Sequence, residues 1–438
     1  MSIMKRGQLQ DQGASATSHA SRITHHVSRI THHASPIRVV RIIDRLNVGG
    51  PAKHVVWLTE GLRGGEFETT LITGTVPPGE GDMSYFAQAA GVEPIVVREM
   101  SRELSPRDVV VIARLLRQLW ELKPQIIHTH KSKAGAAGRA AAMLYKWLTP
   151  SALWLRPRRC RVVHTYHGHI FHSYYGPAKT RLFLAIERTL ARLCTDRIIT
   201  ISEQQRREIS GFLRLKDAGI FRVIPLGLDL DEAPDRPGAL RRELRIGDDE
   251  ILIGSVGRLC EVKNYALLLE AAAHLFADTT APPVRFVVIG DGHLRAELER
   301  RAHKLGLSGK VLFTGFREDV MSLYCDMDIV ALTSLNEGTP LTLIEAMNRG
   351  RAIAATEVGG VPDIMGTRRA STDGFSVWEH GVTARSGDPQ GVARALRFLM
   401  ERPELRARMG GRGRAFVRAH LSRDRLISDM QRLYRDLL

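Results

Sequence analysis

A chain of 438 residues with a 44% hydrophobic share has material for two or three separately cored domains. No stretch approaches the apolar length of a membrane span, and four scattered cysteines (Cys160, Cys194, Cys260, Cys325), without a CxxC pair, point to a reducing cytosol. The net charge of +16 suits phosphorylated ligands, an anionic membrane surface or nucleic acid, the last ranked lowest because no recognised binding motif is present.

Residues 1–36 are polar and carry no signal-type hydrophobic segment. The repeated SRITHH at 21 and 28 pairs histidines, but nothing periodic and apolar would hold them in a fixed geometry. This stretch is expected to be a disordered tail, or an over-extended translation start, and is set aside from the fold.

Beyond Pro36 the chain alternates. "IRVVRIID" reads as a strand, followed by the glycine turn "NVGGPAKH" and a helical "VVWLTEGLR". "ETTLIT", "EPIVV", "PQIIHTH", "RVVHTYH" and "DRIITIS" continue the strands, with helices such as "RDVVVIARLLRQLWEL" between them. A second series runs through "EILIGSVGRL", "VRFVVIGDG", "KVLFTGF", "DIVALTS" and "RAIAATEV". Apolar strands alternating with amphipathic helices predict parallel sheets covered on both faces, so the fold class is α/β with two Rossmann-like domains. The expected bounds are 37–225 and 226–405, with a helical segment over 406–438. The polar, proline-bearing "LDEAPDRPGALRRELRIGDDE" reads as the passage between the two domains.

From Lys131 to Arg161 there are eight Lys and Arg and no acid, with Trp147, Leu148, Leu153, Trp154 and Leu155 among them. That mixture suits the headgroup layer of an anionic bilayer, with a solvated basic loop as the bland alternative. The membrane reading places the cleft, with His130 and His167, at the bilayer.

Ligands of open parallel sheets collect at the carboxyl ends of the strands. There, "GSVGRLCEVKN" offers Gly257, Arg258 and Lys263, a glycine with two cations able to grip a diphosphate. In "NEGTPLTLIEAMNRG", Gly338, Thr339, Pro340 and Leu341 open a helix whose N-terminus suits phosphate. Glu345 would accept hydroxyl hydrogen bonds from a ribose, and Glu337 would serve a sugar hydroxyl or developing positive charge. The bland alternatives are a cap for Glu337 and an ion pair for Glu345.

These segments, with "VVIGDGHLRAELE" and "VLFTGFREDVMSLYCDMDIVALTSLNEGTPLTLIEAMNRGRAIAATEVGGVPDIM", resemble the retaining glycosyltransferases of family 4, from about Val39 to about residue 400. The resemblance implies a GT-B architecture whose second domain binds a nucleotide sugar, UDP-linked by expectation, without a metal or other cofactor. It also implies a hexosyl transfer to a glycan, lipid-linked by expectation, in envelope polysaccharide synthesis. By the same resemblance Arg258 and Lys263 hold the donor diphosphate, Glu345 the ribose and Glu337 the transferred sugar, while Gly49 and Gly50 close over the donor. His167 in "VVHTYHGH" matches the family's histidine near the reacting sugar, although His164, His169 and His172 crowd the same loop. His130 and Lys131 are expected to line the acceptor side, and His128 to fill a strand end. Location is expected to be cytoplasmic, peripheral on the inner face of the membrane.

Departures are visible. Leu226 stands where many members carry a polar residue, and "GTRRASTDGFSVWEHGVTA" is long enough to read as a surface insertion. "DMD" at 326–328 has metal-motif form but reads as structural. The alternatives are a sugar-nucleotide epimerase of similar architecture and a basic nucleic-acid-binding protein. A dinucleotide oxidoreductase is weaker, because "NVGGPAKH" lacks the G-x-G-x-x-G spacing.

Overall fold

The computed structural model describes residues 35–438 apart from 78–79, 101–107, 168–176, 216–217 and 231–236. The SRITHH repeat, His169, His172 and part of the "LDEAPDRPG" passage therefore lie outside the described residues. The first apolar series forms β1 (Ile37–Ile43), β2 (Phe67–Thr73), β3 (Ile95–Val96), β4 (Ile126–His130), β5 (Arg161–Thr165), β6 (Arg197–Thr200) and β7 (Phe221–Val223). They pair in parallel in the order β3-β2-β1-β4-β5-β6-β7. Such parallel strands are buried on both faces, and in β4 all five residues are buried, the polar His128, Thr129 and His130 included.

The second series forms β8 (Ile251–Val256), β9 (Val284–Ile289), β10 (Val311–Gly315), β11 (Ile329–Leu332), β12 (Ala352–Thr356), β13 (Arg368–Thr372), β14 (Phe375–Trp378) and β15 (Gly381–Ala384), ordered β10-β9-β8-β11-β12-β15-β14-β13. The strand order reverses between β1 and β4 in one sheet and between β8 and β11 in the other. Those two switch points are where an open sheet leaves a crevice for a ligand.

The expected surface insertion is only partly one. β13 is exposed along its whole length, whereas β14 and β15 are largely buried; β15 joins β12 in parallel, and β14 and then β13 add to it antiparallel. Trp378 lies inside, its Nε1–H donating to Thr383 Oγ1 at 2.7 Å. Short strands with mixed polarity gave no periodic signal in the sequence. The "DMD" acids have structural work: Asp326 accepts from the backbone N–H groups of Gly238, Leu240 and Arg241, and Asp328 Oδ2 from Arg241 Nη2 at 2.7 Å.

The C-terminal helices divide their packing. Val417, in the helix Pro403–His420, joins the core around β11 and β12. The helix Arg423–Leu437 instead packs Leu426, Met430, Leu433 and Tyr434 against Val39, Ile126 and Val163 of the first sheet. Between the two helices the chain passes Leu228, which exchanges backbone hydrogen bonds with Leu421 and Arg423. Tyr434 OH meets His128 Nδ1 at 2.7 Å and accepts from Arg41 Nη2 at 3.4 Å, beneath the first sheet's switch point. Tyr434→Phe is therefore expected to lower unfolding free energy by about 1–3 kcal/mol, because it strips partners from two buried polar groups. Urea titration checks this, and an unchanged midpoint would contradict it.

Candidate active site

The sequence-selected residues gather at the two switch points. After β1, Gly49 adopts φ 152° and ψ 168° and leads into the helix Gly50–Gly61. A Cβ on Gly50 would fall 2.7 Å from Leu341 Cδ1, so this turn lies directly against the helix Leu341–Asn348 of the second half. A side chain at position 50 would have to displace that of Leu341.

One turn along the Gly50 helix, His54 is buried and its ring meets that of His167 edge-on at 4.8 Å between centroids. His130, the last residue of β4, stacks on His167 at 5.2 Å, with His130 Nδ1 2.9 Å from His167 Nε2. Sequence reasoning had passed over His54; its only signal was its position on the helix behind the glycine turn. His128 is satisfied at both ring nitrogens, by Tyr434 OH and Thr165 Oγ1, each at 2.7 Å, which fits its expected strand-end role. His164 meets Thr129 Oγ1 at 2.8 Å and packs beneath the site against Gly135.

Burial decides the charge of these rings. It pushes His54 down to about 3, reinforced by the nearby Arg41 and Arg425 guanidinium groups. It likewise holds His130 well below the ordinary histidine range, with His128, His167, His54 and Arg41 adding to the effect. His167 is lowered well below that range by burial, then by His54, Lys131 and His128. The rings are thus neutral near pH 7, each offering one donor and one acceptor nitrogen.

Among the described residues, His54, His130 and His167 bring ring nitrogens within 4.8 Å of one another, a spacing open to a metal ion. Metal-bound imidazoles almost always give their other N–H to a carboxylate, carbonyl or water. Here the cations that act on the rings are Arg41, Arg425 and Lys131. That setting disfavours a cation and suits hydroxyl groups.

Lys131 begins the helix Ser132–Trp147 with φ 61° and ψ 170°, a conformation that costs a non-glycine residue about 1–3 kcal/mol. The strained turn brings Nζ to Asp44 Oδ1 at 2.9 Å and to Asn47 Oδ1 at 3.0 Å. Asp44 also pairs with Arg45, which reaches Glu80 at 2.7 Å. Lys131 is thereby tied to the β1 loop.

On the second half, Gly257 and Arg258 follow β8, and Arg258 is exposed with no salt-bridge acid among the described residues. Lys263 Nζ donates to Glu337 Oε1 at 2.6 Å, and Ser334 Oγ to the same oxygen at 2.5 Å. The two switch-point loops are thereby joined by a mostly buried ion pair, with side chains 21% and 11% exposed. Behind Glu337 the backbone N–H of Gly360 donates to Gly338 O at 2.8 Å. A Cβ on Gly359 would lie 1.7 Å from Glu337 O, so "EVGG" is fitted to "NEGTP" by contact.

The helix Leu341–Asn348 has Pro340 at its N-cap and no side-chain cap. Thr339 and Pro340 are buried beside it, and Thr339 Oγ1 has no hydrogen-bond partner among the described residues. Half-buried Glu345 accepts from Tyr324 OH at 3.1 Å, and burial together with Glu345 raises that phenol well above its ordinary value. Tyr324 gave no sequence signal, since it lies 21 residues away in the chain.

Comparison with known proteins accounts for both halves. Residues 49–227 match the glycosyl transferase 4-like domain, and residues 238–416 match the glycosyl transferases group 1 family. An Escherichia coli UDP-Gal:alpha-D-GlcNAc-diphosphoundecaprenol alpha-1,3-galactosyltransferase is 31% identical over 258 residues, which cover 58% of this chain and 63% of that relative. The match thus spans less than two thirds of that protein's length. A D-inositol 3-phosphate glycosyltransferase of Geodermatophilus obscurus is 27% identical, over 77% of this chain and 82% of the relative. Among solved structures, Anabaena HepE with UDP and glucose superposes with a TM-score of 0.71 at 18% identity, covering 91% of this chain and all (100%) of HepE. The chain therefore belongs to the family-4-type glycosyltransferases and has their GT-B fold.

Proposed function

We propose that this chain moves a hexosyl group from a nucleotide sugar, UDP-linked, to a glycan acceptor with retention of configuration. The observation that carries the reading is the Lys263–Glu337–Ser334 cluster at the β8/β11 switch point, facing a helix N-terminus with no side-chain cap. Arg258 and Lys263 grip the diphosphate, the backbone at Gly338, Thr339, Pro340 and Leu341 receives phosphate oxygens, and Glu345 binds the ribose. Glu337 holds the transferred sugar and keeps Lys263 in register. Gly49 and Gly50 close over the donor from the first half. HepE's complex with UDP and glucose supports such a donor, and the E. coli relative's name supports a lipid-linked acceptor in envelope polysaccharide assembly.

In the retaining step the bond from the anomeric carbon to the leaving phosphate breaks as the acceptor oxygen attacks the same face. The acceptor's proton passes to the departing phosphate oxygen, so no protein nucleophile is required and no metal or other cofactor is invoked. His167, held neutral and weakly basic, orients hydroxyls and is a poor general base. His130 fixes its ring from behind, and Lys131 sets the acceptor-side loop through Asp44 and Asn47. No helix among the described residues is long and apolar enough to cross a membrane, and the proposed location is the cytoplasmic, anionic face of one.

Incubation with radiolabelled nucleotide sugars tests the reading: slow donor hydrolysis supports transfer, and an isomerised sugar nucleotide would support epimerisation instead. Arg258→Ala should weaken UDP binding by about 10- to 100-fold while leaving uridine nearly unchanged, because the lost bonds are to charged phosphate. Calorimetry with both ligands checks this. Equal losses would mean that Arg258 supports the fold and not the diphosphate.

A further inference from the structure

We propose that the tip formed by the end of the helix Ser132–Trp147 and the turn Pro150–Trp154 docks end-on into an anionic lipid surface. The cleft is then held about 24 Å away, and the acceptor must carry several sugar units between its lipid anchor and the reacting hydroxyl. Leu153, Trp154 and Leu155 are 87%, 81% and 82% exposed, three consecutive large apolar side chains in water. Leu155 is held there by a left-handed backbone, φ 54°, which is unfavourable for a bulky residue. Trp147 and Leu148 are exposed beside them. Such a contiguous patch marks an interaction surface.

Charge selects the partner. Within the acid-free basic stretch, four acids from elsewhere in the chain pair with five of the cations: Lys131 with Asp44, Lys133 with Asp108, Arg139 with Glu187, and Lys146 and Arg161 both with Asp196. The other three are at the tip. Arg156 and Arg159 are exposed, and Arg158 lies 4.3 Å over the Tyr145 ring. Apolar side chains ringed by arginine fit the headgroup layer of an anionic bilayer, each cation contributing about 1 kcal/mol.

The standoff follows from topology. The Ser132–Trp147 helix starts at the cleft beside His130 and runs 16 residues to the tip, a length of about 24 Å at 1.5 Å per residue. The tip is fastened at the opposite edge of the sheet, where Arg158 N–H donates to Lys146 O and Arg161 N–H to Gln125 O. Most of the helix's first three turns is buried, so only its end is free to enter lipid. This differs from the expectation that the cleft meets the acceptor at the bilayer itself.

The docking stands on the tip alone, whereas its consequence for the acceptor rests on the glycosyl-transfer reading. Co-sedimentation with phosphatidylglycerol vesicles measures the first. Binding is expected for the full chain and should be lost in Leu153→Ser/Trp154→Ser, whose exposed positions leave folding and transfer to free sugars intact. A fluorophore at Leu153→Cys should be quenched by nitroxide-headgroup lipids, and one at Leu335→Cys, near Glu337, should not. Absence of vesicle binding, or equal quenching at both sites, overturns the proposal. For the acceptor, sugars anchored in vesicles through a spacer shorter than the helix should react at least about tenfold more slowly than those on a longer spacer, because a linker that cannot span gives almost no effective concentration. Equal rates for both spacers overturn the standoff. Absence of transfer even to free sugars would instead count against the glycosyl-transfer reading, while quenching still decides the docking.

Discussion

Glu337→Gln is expected to lower turnover by about 10²–10³-fold, the scale of losing one preorganised electrostatic contact to a transition state. The geometry makes this loss inseparable from Lys263. The carboxylate takes Lys263 Nζ at 2.6 Å and Ser334 Oγ at 2.5 Å on one oxygen, which leaves the other for the transferring sugar. Neutralising the acid frees a mostly buried ammonium, so both the phosphate grip and the sugar contact are disturbed. Lys263→Met should cost a similar factor, by stranding the carboxylate. The double variant should be scarcely worse than either single one, because residues acting as a unit are strongly non-additive. Steady-state kinetics on the cycle checks this. Additive losses would mean that the two side chains act on separate parts of the donor, and wild-type turnover in Glu337→Gln would remove the role altogether.

The same pair shows what the sequence could convey. Each strand end was legible, since runs such as "DIVALTS" and "ILIGSV" are apolar enough to be buried on both faces and the polar residue after them must then lie at a sheet edge. The helix "LTLIEAMN" was readable to its ends from the Gly-Thr-Pro turn before it. The pairing of Lys263 with Glu337 was not legible, because the partners are 74 residues apart and meet only once β8 and β11 are neighbours. His54 was hidden for a related reason: a histidine on an apolar helix face carries no mark of what lies across from it. The docking of Arg423–Leu437 on the first sheet was equally invisible, since an amphipathic helix announces that it needs a partner but not which one. The basic stretch was legible only in part, because five of its cations pair with four acids that sequence proximity does not reveal.

Lowering the pH from 7 to 5 is expected to remove much of the stability of the fold, and to do so through the histidines. His54, His128, His130, His164 and His167 all have pKa values lowered chiefly by burial, in a region that already holds the buried Arg41. In the unfolded chain each would titrate near 6.5. Between the folded and unfolded values the unfolded chain binds more protons, so the stabilising contribution is complete above about pH 6.5 and is lost as pH falls. Each ring acting independently would lose about 1.4 kcal/mol per pH unit in that window. Two such rings would remove about 4 kcal/mol by pH 5, a large part of a typical 5–15 kcal/mol. Carboxylates with lowered values, such as Glu250 and Glu401, are still charged there and do not produce this slope. Denaturant unfolding at several pH values from 7.5 to 5 measures it, and the acid limb of transfer activity should coincide with the loss of structure. His164→Gln, which removes one titrating ring behind the site, should flatten the slope by about one proton. A stability that stays level down to pH 5 would mean that these imidazoles accept protons in place, and that the cluster is not held neutral by burial.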